Sequence, residues 1–191
     1  MTPFLLAFGD ILTEGYGLPR VQSFASQIEA LLQPAHPGAR VLNEGRSGDT
    51  TTSALARLPR VLSRLAARPD LVIVELGAND LLRGIPLETT RANLDAILTE
   101  LGRCGLPLLL ARMDAPRFLG AFGESCTAIY DELGRRHAVP VAPFLPAGLL
   151  GHPAYTLRDR VHPNAAGTAL IARAFLPAVQ AALAAGLQRA A

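Results

Sequence analysis

A chain of 191 residues, half of them apolar and 18% charged, is long enough to bury a substantial core and lies far from the composition of disordered segments. A formal charge of +2 gives no basis for nucleic-acid binding, and two cysteines do not make a disulfide framework. No apolar run approaches the roughly 20 residues that cross a bilayer, so no membrane span is expected. No charged leader or cleavage site follows Met1, and the expectation is a cytoplasmic protein, or a periplasmic or secreted one if a leader has been removed.

In chain order, Phe4–Phe8 is a short apolar run and the first expected strand. Phe24, Ile28, Leu31 and Leu32 then recur at helical spacing, and Arg40–Asn43 is the second strand. Leu55, Leu58, Leu62 and Leu65 form a second helical stripe, with Arg57, Arg60, Arg64 and Arg68 between them reading as its solvated face. Leu71–Leu76 is the third strand, followed by a helix on Leu94, Ile97, Leu98 and Leu101. Pro107–Ala111 is the fourth. Cys126 falls in a stripe with Ile129, Tyr130 and Leu133, which makes it a core residue, and Val139–Phe144 is the fifth strand. The last segment, Ala165 to about Leu187, places Leu170, Ile171, Phe175, Val179 and Leu183 on one face; Pro177 is expected to kink or interrupt it.

Five nearly continuous apolar strands alternating with helices imply an α/β fold whose parallel sheet is covered on both faces. Right-handed crossovers turn that pattern into a three-layer α/β/α sandwich with a five-stranded, flavodoxin-like sheet. No repeat, linker or shift in composition divides the chain, so residues 1–191 are read as a single domain.

Ligands of open α/β sheets bind beyond the carboxyl ends of the strands. Small and polar residues gather at four such places: Gly9 to Thr13, Asn43 to Thr50, Gly77 to Asp80, and the loop Arg158 to Asn164 before the last helix. These segments read FGDILTEGYG, NEGRSGDTT, ELGANDLLRG and RDRVHPN. In order and in position they resemble the four motif blocks of the SGNH (GDSL-type) serine ester hydrolases, and the small thioesterase, arylesterase and lysophospholipase branch above all. The resemblance covers essentially the whole chain. One block alone is weak evidence; four, each at a strand end, are specific.

The resemblance implies roles residue by residue. His162 is the general base and Asp159 orients and stabilises its ring. Gly48, through its backbone N–H, and Asn79, through its side-chain amide, donate to the oxyanion together with the backbone N–H of position 11. Such donors contribute about 2.7–4 kcal/mol each. Asp10 and Leu81 join the substrate side of the site. Asp10 and Asp80 are also expected to bond loop backbone, and Thr13 and Ser47 to be hydrogen-bonding hydroxyls rather than nucleophiles. Phe118 and Phe122, with Gly120 and Gly123, have the make-up of an apolar lip around residues 117–123 that shapes an acyl groove. His36, His137 and His152 are read as structural or surface residues.

Where the family has its nucleophilic serine, this chain has Ile11. An isoleucine side chain has no lone pair and forms no acyl-enzyme. Two readings follow: a hydrolase of short- or medium-chain esters disarmed at one position, or a natural pseudoenzyme that holds an ester, acyl chain or glycan without cleaving it. The implied partner is a small ester or thioester, with no metal or cofactor, no nucleic acid, and a monomer or weak homo-oligomer. A nucleotide-binding domain on the same sheet type is disfavoured, because the first loop is neither G-x-G-x-x-G nor a P-loop.

Overall fold

The computed structural model describes residues 2–190. Five strands form one parallel sheet: β1 (Phe4–Gly9), β2 (Arg40–Gly45), β3 (Leu71–Glu75), β4 (Leu108–Arg112) and β5 (Val141–Pro143). Their spatial order is β2-β1-β3-β4-β5. Among the described residues, seven α-helices accompany them: α1 (Ile11–Glu14), α2 (Phe24–Leu32), α3 (Thr51–Ser63), α4 (Ala78–Leu82), α5 (Leu87–Arg103), α6 (Gly120–His137) and α7 (Ala165–Ala190). Packing between α2 and α7 covers one face, and α3, α5 and α6 pack side by side on the other. The fold is thus a three-layer α/β/α sandwich. The order reverses at β1, which lies between β2 and β3, so the loops leaving β1 and β3 part there and open a crevice.

The core strands are apolar because both faces are covered; β3 and nearly all of β1 and β4 are buried. Phe24, Phe144 and Phe175 meet edge to face at 4.9–5.8 Å between α2, the end of β5 and α7. Each such buried ring contributes about 1.5–3 kcal/mol. Helix ends carry their own signals. Ser23 caps α2 by accepting from the Ser26 N–H, and Thr50 and Ser53 form a reciprocal capping box at α3.

Several elements differ from the expectation. The face of α3 turned inward is Thr51, Ala54, Leu58 and Val61, while Leu55, Leu62 and Leu65 are half-buried at its margin. Leu58 lies at the centre of this face, with Leu55 and Leu62 to its sides. β5 is shorter than expected: Ala138 adopts a left-handed conformation that ends α6, so the regular strand begins only at Val141, and past Pro143 only the Phe144 N–H still bonds β4, donating to the Arg112 carbonyl at 2.9 Å. α7 runs through Pro177 without interruption, as α3 runs through Pro59; each proline forgoes one helical hydrogen bond. Residues Ala165–Gly186 of α7 also form a 22-residue stretch of mean hydropathy 1.5, long and apolar enough by composition to cross a membrane. That stretch escapes a search for unbroken apolar runs because Arg173 interrupts it. Its Ile171, Phe175, Val179 and Leu183 belong to the core.

Candidate active site

The loop after β1 is fixed from beneath. A Cβ on Gly9 would collide with the Thr13 hydroxyl and the Glu75 carbonyl, so only glycine fits the close approach of β1 to β3. Asp10 is fully buried and caps α1, accepting from the Leu12 N–H at 3.0 Å. Its own N–H donates to the Glu75 carbonyl at 3.2 Å, and the Thr13 hydroxyl donates to Glu75 Oε2 at 2.7 Å. Ile11 is therefore the first residue of α1, where a backbone N–H has no intrahelical acceptor.

Glu75 is wholly buried. Burial first, and then the neighbouring Asp10 charge, hold its carboxyl well above the usual range. The Asp10 carboxyl is raised to about 6, mainly by burial. The Asp10 N–H also reaches Glu75 Oε2 at 3.4 Å, which keeps the two carboxyl groups side by side. Among the described residues, Glu75 Oε1 is the only buried side-chain oxygen or nitrogen without a partner, which a neutral carboxyl tolerates better than a carboxylate.

Arg57 ties this loop to the next. Its side chain is only 12% exposed, not part of a solvated stripe as its spacing suggested; Arg60, Arg64 and Arg68 are exposed. The guanidinium donates to the carbonyls of Gly9 at 3.0 Å and Glu44 at 2.9 Å, pairs with Asp49 at 2.5 Å, and lies 4.4 Å over the Phe8 ring. It thereby joins the ends of β1 and β2 to the loop carrying Gly48. Gly48 itself has φ +79°, and its carbonyl accepts from Arg83 at 3.0 Å. The Ser47 hydroxyl bonds Glu14, so neither it nor the buried Thr13 is a free hydroxyl.

The loop after β3 completes the buried half. Tyr130 of α6 donates to the Leu76 carbonyl at 2.8 Å, and any Cβ on Gly77 (φ +115°) would collide with that hydroxyl. Asn79 donates its amide to Asp10 Oδ2 at 3.1 Å and to the Asp49 carbonyl at 2.9 Å, linking all three loops. Both amide hydrogens are thus engaged, and an oxyanion contact from Asn79 requires one of them to be shared. Asp80 is buried and accepts from Thr51 (N–H and hydroxyl) and Thr90, a purely structural set of contacts.

The remaining loop folds on itself. Leu157 donates to the His162 carbonyl at 2.7 Å, Thr156 and Pro163 form a short bridge, and Arg160 turns the chain at φ +62°. Asp159 Oδ1 accepts from the N–H groups of Val161 and His162 at 2.9 and 3.0 Å. Its Oδ2 meets His162 Nδ1 at 2.7 Å. These bonds, the His162 contact foremost, pull Asp159 down to about 2. The carboxylate therefore assigns the ring proton to Nδ1 and leaves Nε2 free to accept. Tyr16 lies against the imidazole, with ring centres 4.8 Å apart.

These loops surround an almost wholly apolar cavity of about 140 Å³. Ile11, Leu81, Asn79 and His162 line it together, with Asp159 behind the imidazole. Asp10 does not reach it: fully buried, it lies beneath the loop and supports it rather than touching a ligand. Gly48 lies on the adjoining loop, outside the lining. Phe118 faces a neighbouring hollow, and Phe122 is exposed on the first turn of α6, so neither forms the cavity wall. Cys126, read only as core, is buried and also lines the cavity; burial raises its thiol pKa. Leu12, Met113, Tyr130, Leu145 and Leu150 line it as well. Tyr130 is visible in the sequence only as part of a helical stripe and Leu12 only as part of the first motif block, and nothing in the sequence marks Met113, Leu145 or Leu150. His137 bonds Asp95 at 2.6 Å and His152 accepts from the Ala154 N–H, both within their own surroundings. Among the described residues, no three His, Cys, Asp or Glu side chains converge to hold a metal.

Residues 7–170 match the GDSL-like Lipase/Acylhydrolase family. The chain belongs to that family. It is 33% identical over 161 residues to an arylesterase of Vibrio mimicus, covering 84% of this chain and 80% of that one. It is 34% identical over the same length to the thioesterase 1/protease 1/lysophospholipase L1 of Escherichia coli K12, covering 84% and 75%. Among solved structures, AlinE4, an SGNH-hydrolase family esterase, shares 40% identity at a TM-score of 0.78 over 96% of this chain and 97% of that one. TesA shares 28% at a TM-score of 0.86 over 94% and 99%. The GDSL-like chain described here therefore carries the SGNH hydrolase scaffold.

Proposed function

We propose that this protein is a carboxylic ester hydrolase of the Ser-His-Asp kind whose nucleophile position is occupied by Ile11, so that the chain as it stands has essentially no hydrolytic activity. The observation that carries the reading is the ordered Asp159–His162 pair beside an apolar cavity, with an isoleucine at the start of α1 in the same lining. With a serine at position 11, the hydroxyl would lose its proton to His162 Nε2 and attack the ester carbonyl. The oxyanion would then meet the N–H of residue 11 and that of Gly48, with a shared hydrogen of Asn79. His162 would return its proton to the departing alcohol or thiol, and water would release the acyl group by the same route. The acyl chain would occupy the cavity, whose apolar walls favour short or medium chains of esters, aryl esters or thioesters.

The experiment compares the protein and Ile11→Ser on p-nitrophenyl acetate, butyrate and octanoate. Hydrolysis is expected only in the serine form, with a kcat/KM at least about a thousandfold above the parent. A second reading, a non-catalytic binder of an ester or acyl chain, draws on the survival of the apolar cavity with Ile11 in its wall. Two folded and equally inert proteins would transfer the weight to that reading.

A further inference from the structure

Among the described residues, the large apolar side chains left exposed, Val21 apart, gather around one opening. Leu82 (71% exposed), Leu150 and Val161 (44% each) line the active-site cavity. Phe118, 86% exposed, lines the neighbouring hollow, which shares the wall of Ala115, Pro116, Leu145 and Leu150 with the cavity. Tyr16, half exposed, lies against His162, and exposed Phe122 follows four residues after Phe118. Isolated exposed apolar residues are ordinary, but a group of them around one opening marks a contact surface.

The charges beside this rim are mainly basic, three exposed arginines against exposed Glu88, which follows the lining residue Leu87. Arg83 follows Leu82, and Arg158 and Arg160 immediately precede Val161; all three are exposed. Among the described residues none of them has an acidic partner within ion-pair distance. Nearby acids are already engaged: Asp159 by His162, buried Asp80 by Thr51 and Thr90, and Asp114, in the wall the two hollows share, by Arg112. We propose that the rim of the active-site cavity docks onto an anionic phospholipid bilayer, its apolar side chains entering the boundary between headgroups and acyl chains while Arg83, Arg158 and Arg160 meet lipid phosphates. Apolar residues flanked by uncompensated cations on one surface are the composition of an interfacial binding site. The position of the rim adds a second argument: an acyl chain leaving the bilayer reaches the apolar cavity without crossing water. Docking does not depend on the chemistry at position 11 and is testable on the chain as it stands.

The test is co-sedimentation of the full chain with vesicles of phosphatidylglycerol and phosphatidylcholine in equal parts, against phosphatidylcholine alone. Binding is expected to the anionic vesicles and to weaken as salt is raised from about 0.1 M to about 1 M, where the screening length shortens from about 10 Å to about 3 Å. Leu82→Ser with Phe118→Ser is expected to lower the partition coefficient about tenfold or more, and Arg158→Ala or Arg160→Ala about fivefold each. Val21→Ser serves as control, since Val21 is 73% exposed but lines neither hollow. All of these side chains lie at the surface, and unchanged circular dichroism would show that each variant is folded. Protein remaining in the supernatant with both vesicle types would overturn the proposal, as would binding that the rim variants do not weaken. Self-association in sedimentation velocity that Phe118→Ser abolishes, without vesicle binding, would also overturn it, in favour of a second copy of this chain.

Discussion

The two halves of the site are held by opposite means. The half that carries Ile11, Gly48 and Asn79 rests on bonds between segments far apart in sequence: Thr13 to Glu75, Arg57 to Gly9 and Glu44, Asn79 to Asp10 and Asp49. Asp10, Glu75 and Asp80 in that half are essentially inaccessible. The half that carries Asp159 and His162 is a local turn whose bonds all fall between residues 151 and 164, and Asp159 is exposed. The difference separates chemistry from support. In the buried half, backbone and buried carboxyls are wired together, yet the side chain of residue 11 takes no part in the wiring and borders the cavity. That explains how an isoleucine is accommodated there without disturbing the loops around it.

The comparison breaks first if the exposed half proves structural. In the Ile11→Ser background, His162→Ala is expected to lower kcat/KM on p-nitrophenyl butyrate at least about a thousandfold. Stability in urea should change by less than about 1 kcal/mol, because the imidazole is partly exposed and its partner lies within the same turn. Retained activity would remove His162 from the chemistry, and a large loss of stability would remove the distinction between the halves. The buried half should respond in the opposite way. Arg57→Met leaves Asp49 without its cation and two strand-end carbonyls without a donor, and is expected to cost about 3–5 kcal/mol in the same assay. A cost below about 1 kcal/mol would mean that the strand ends hold their positions without this residue.

What the sequence discloses follows the same division. Apolar runs that end in small polar residues mark the four loops, because strands buried on both faces must be apolar and the chain turns polar where it leaves the sheet. The Asp159–His162 pair is also legible, since its partners are three residues apart. Arg57 is not. Helical spacing groups it with Arg60, Arg64 and Arg68 but gives no sign that it alone reaches carbonyls 48 and 13 residues away. Glu75 hides for the same reason: it closes an apolar strand, and its burial against Asp10 depends on the pairing of β1 with β3. The place of Asp10 beneath the loop, and of Phe118 beside the cavity rather than in it, is set by the turns at Asp10–Leu12 and before α6, which pattern alone does not fix.

Proton uptake gives the two halves opposite signs. Asp10 is raised to about 6 from an ordinary 3.8, chiefly by burial, so the folded protein binds more protons than the unfolded chain between those values. The contribution of Asp10 to stability should therefore fall as pH rises from about 4 to about 6, by at most about 1.4 kcal/mol per pH unit, and Glu75, also raised, adds a loss of the same sign. Asp10→Asn should flatten that slope in urea titrations; an unchanged slope would assign it to other groups.

Asp159 is lowered to about 2, first by its bond to His162, and the sign reverses. The folded protein now binds fewer protons, so the contribution of Asp159 is complete above about 4 and is lost as pH falls toward 2. This effect should be the smallest of the series, because the carboxylate is exposed and solvent screens its partners. Asp159→Asn should remove only this low-pH loss and leave the slope between pH 4 and 6 intact. If one substitution altered both windows, the two halves would be coupled through the cavity between them, and the exposed turn would no longer stand as an independent part of the site.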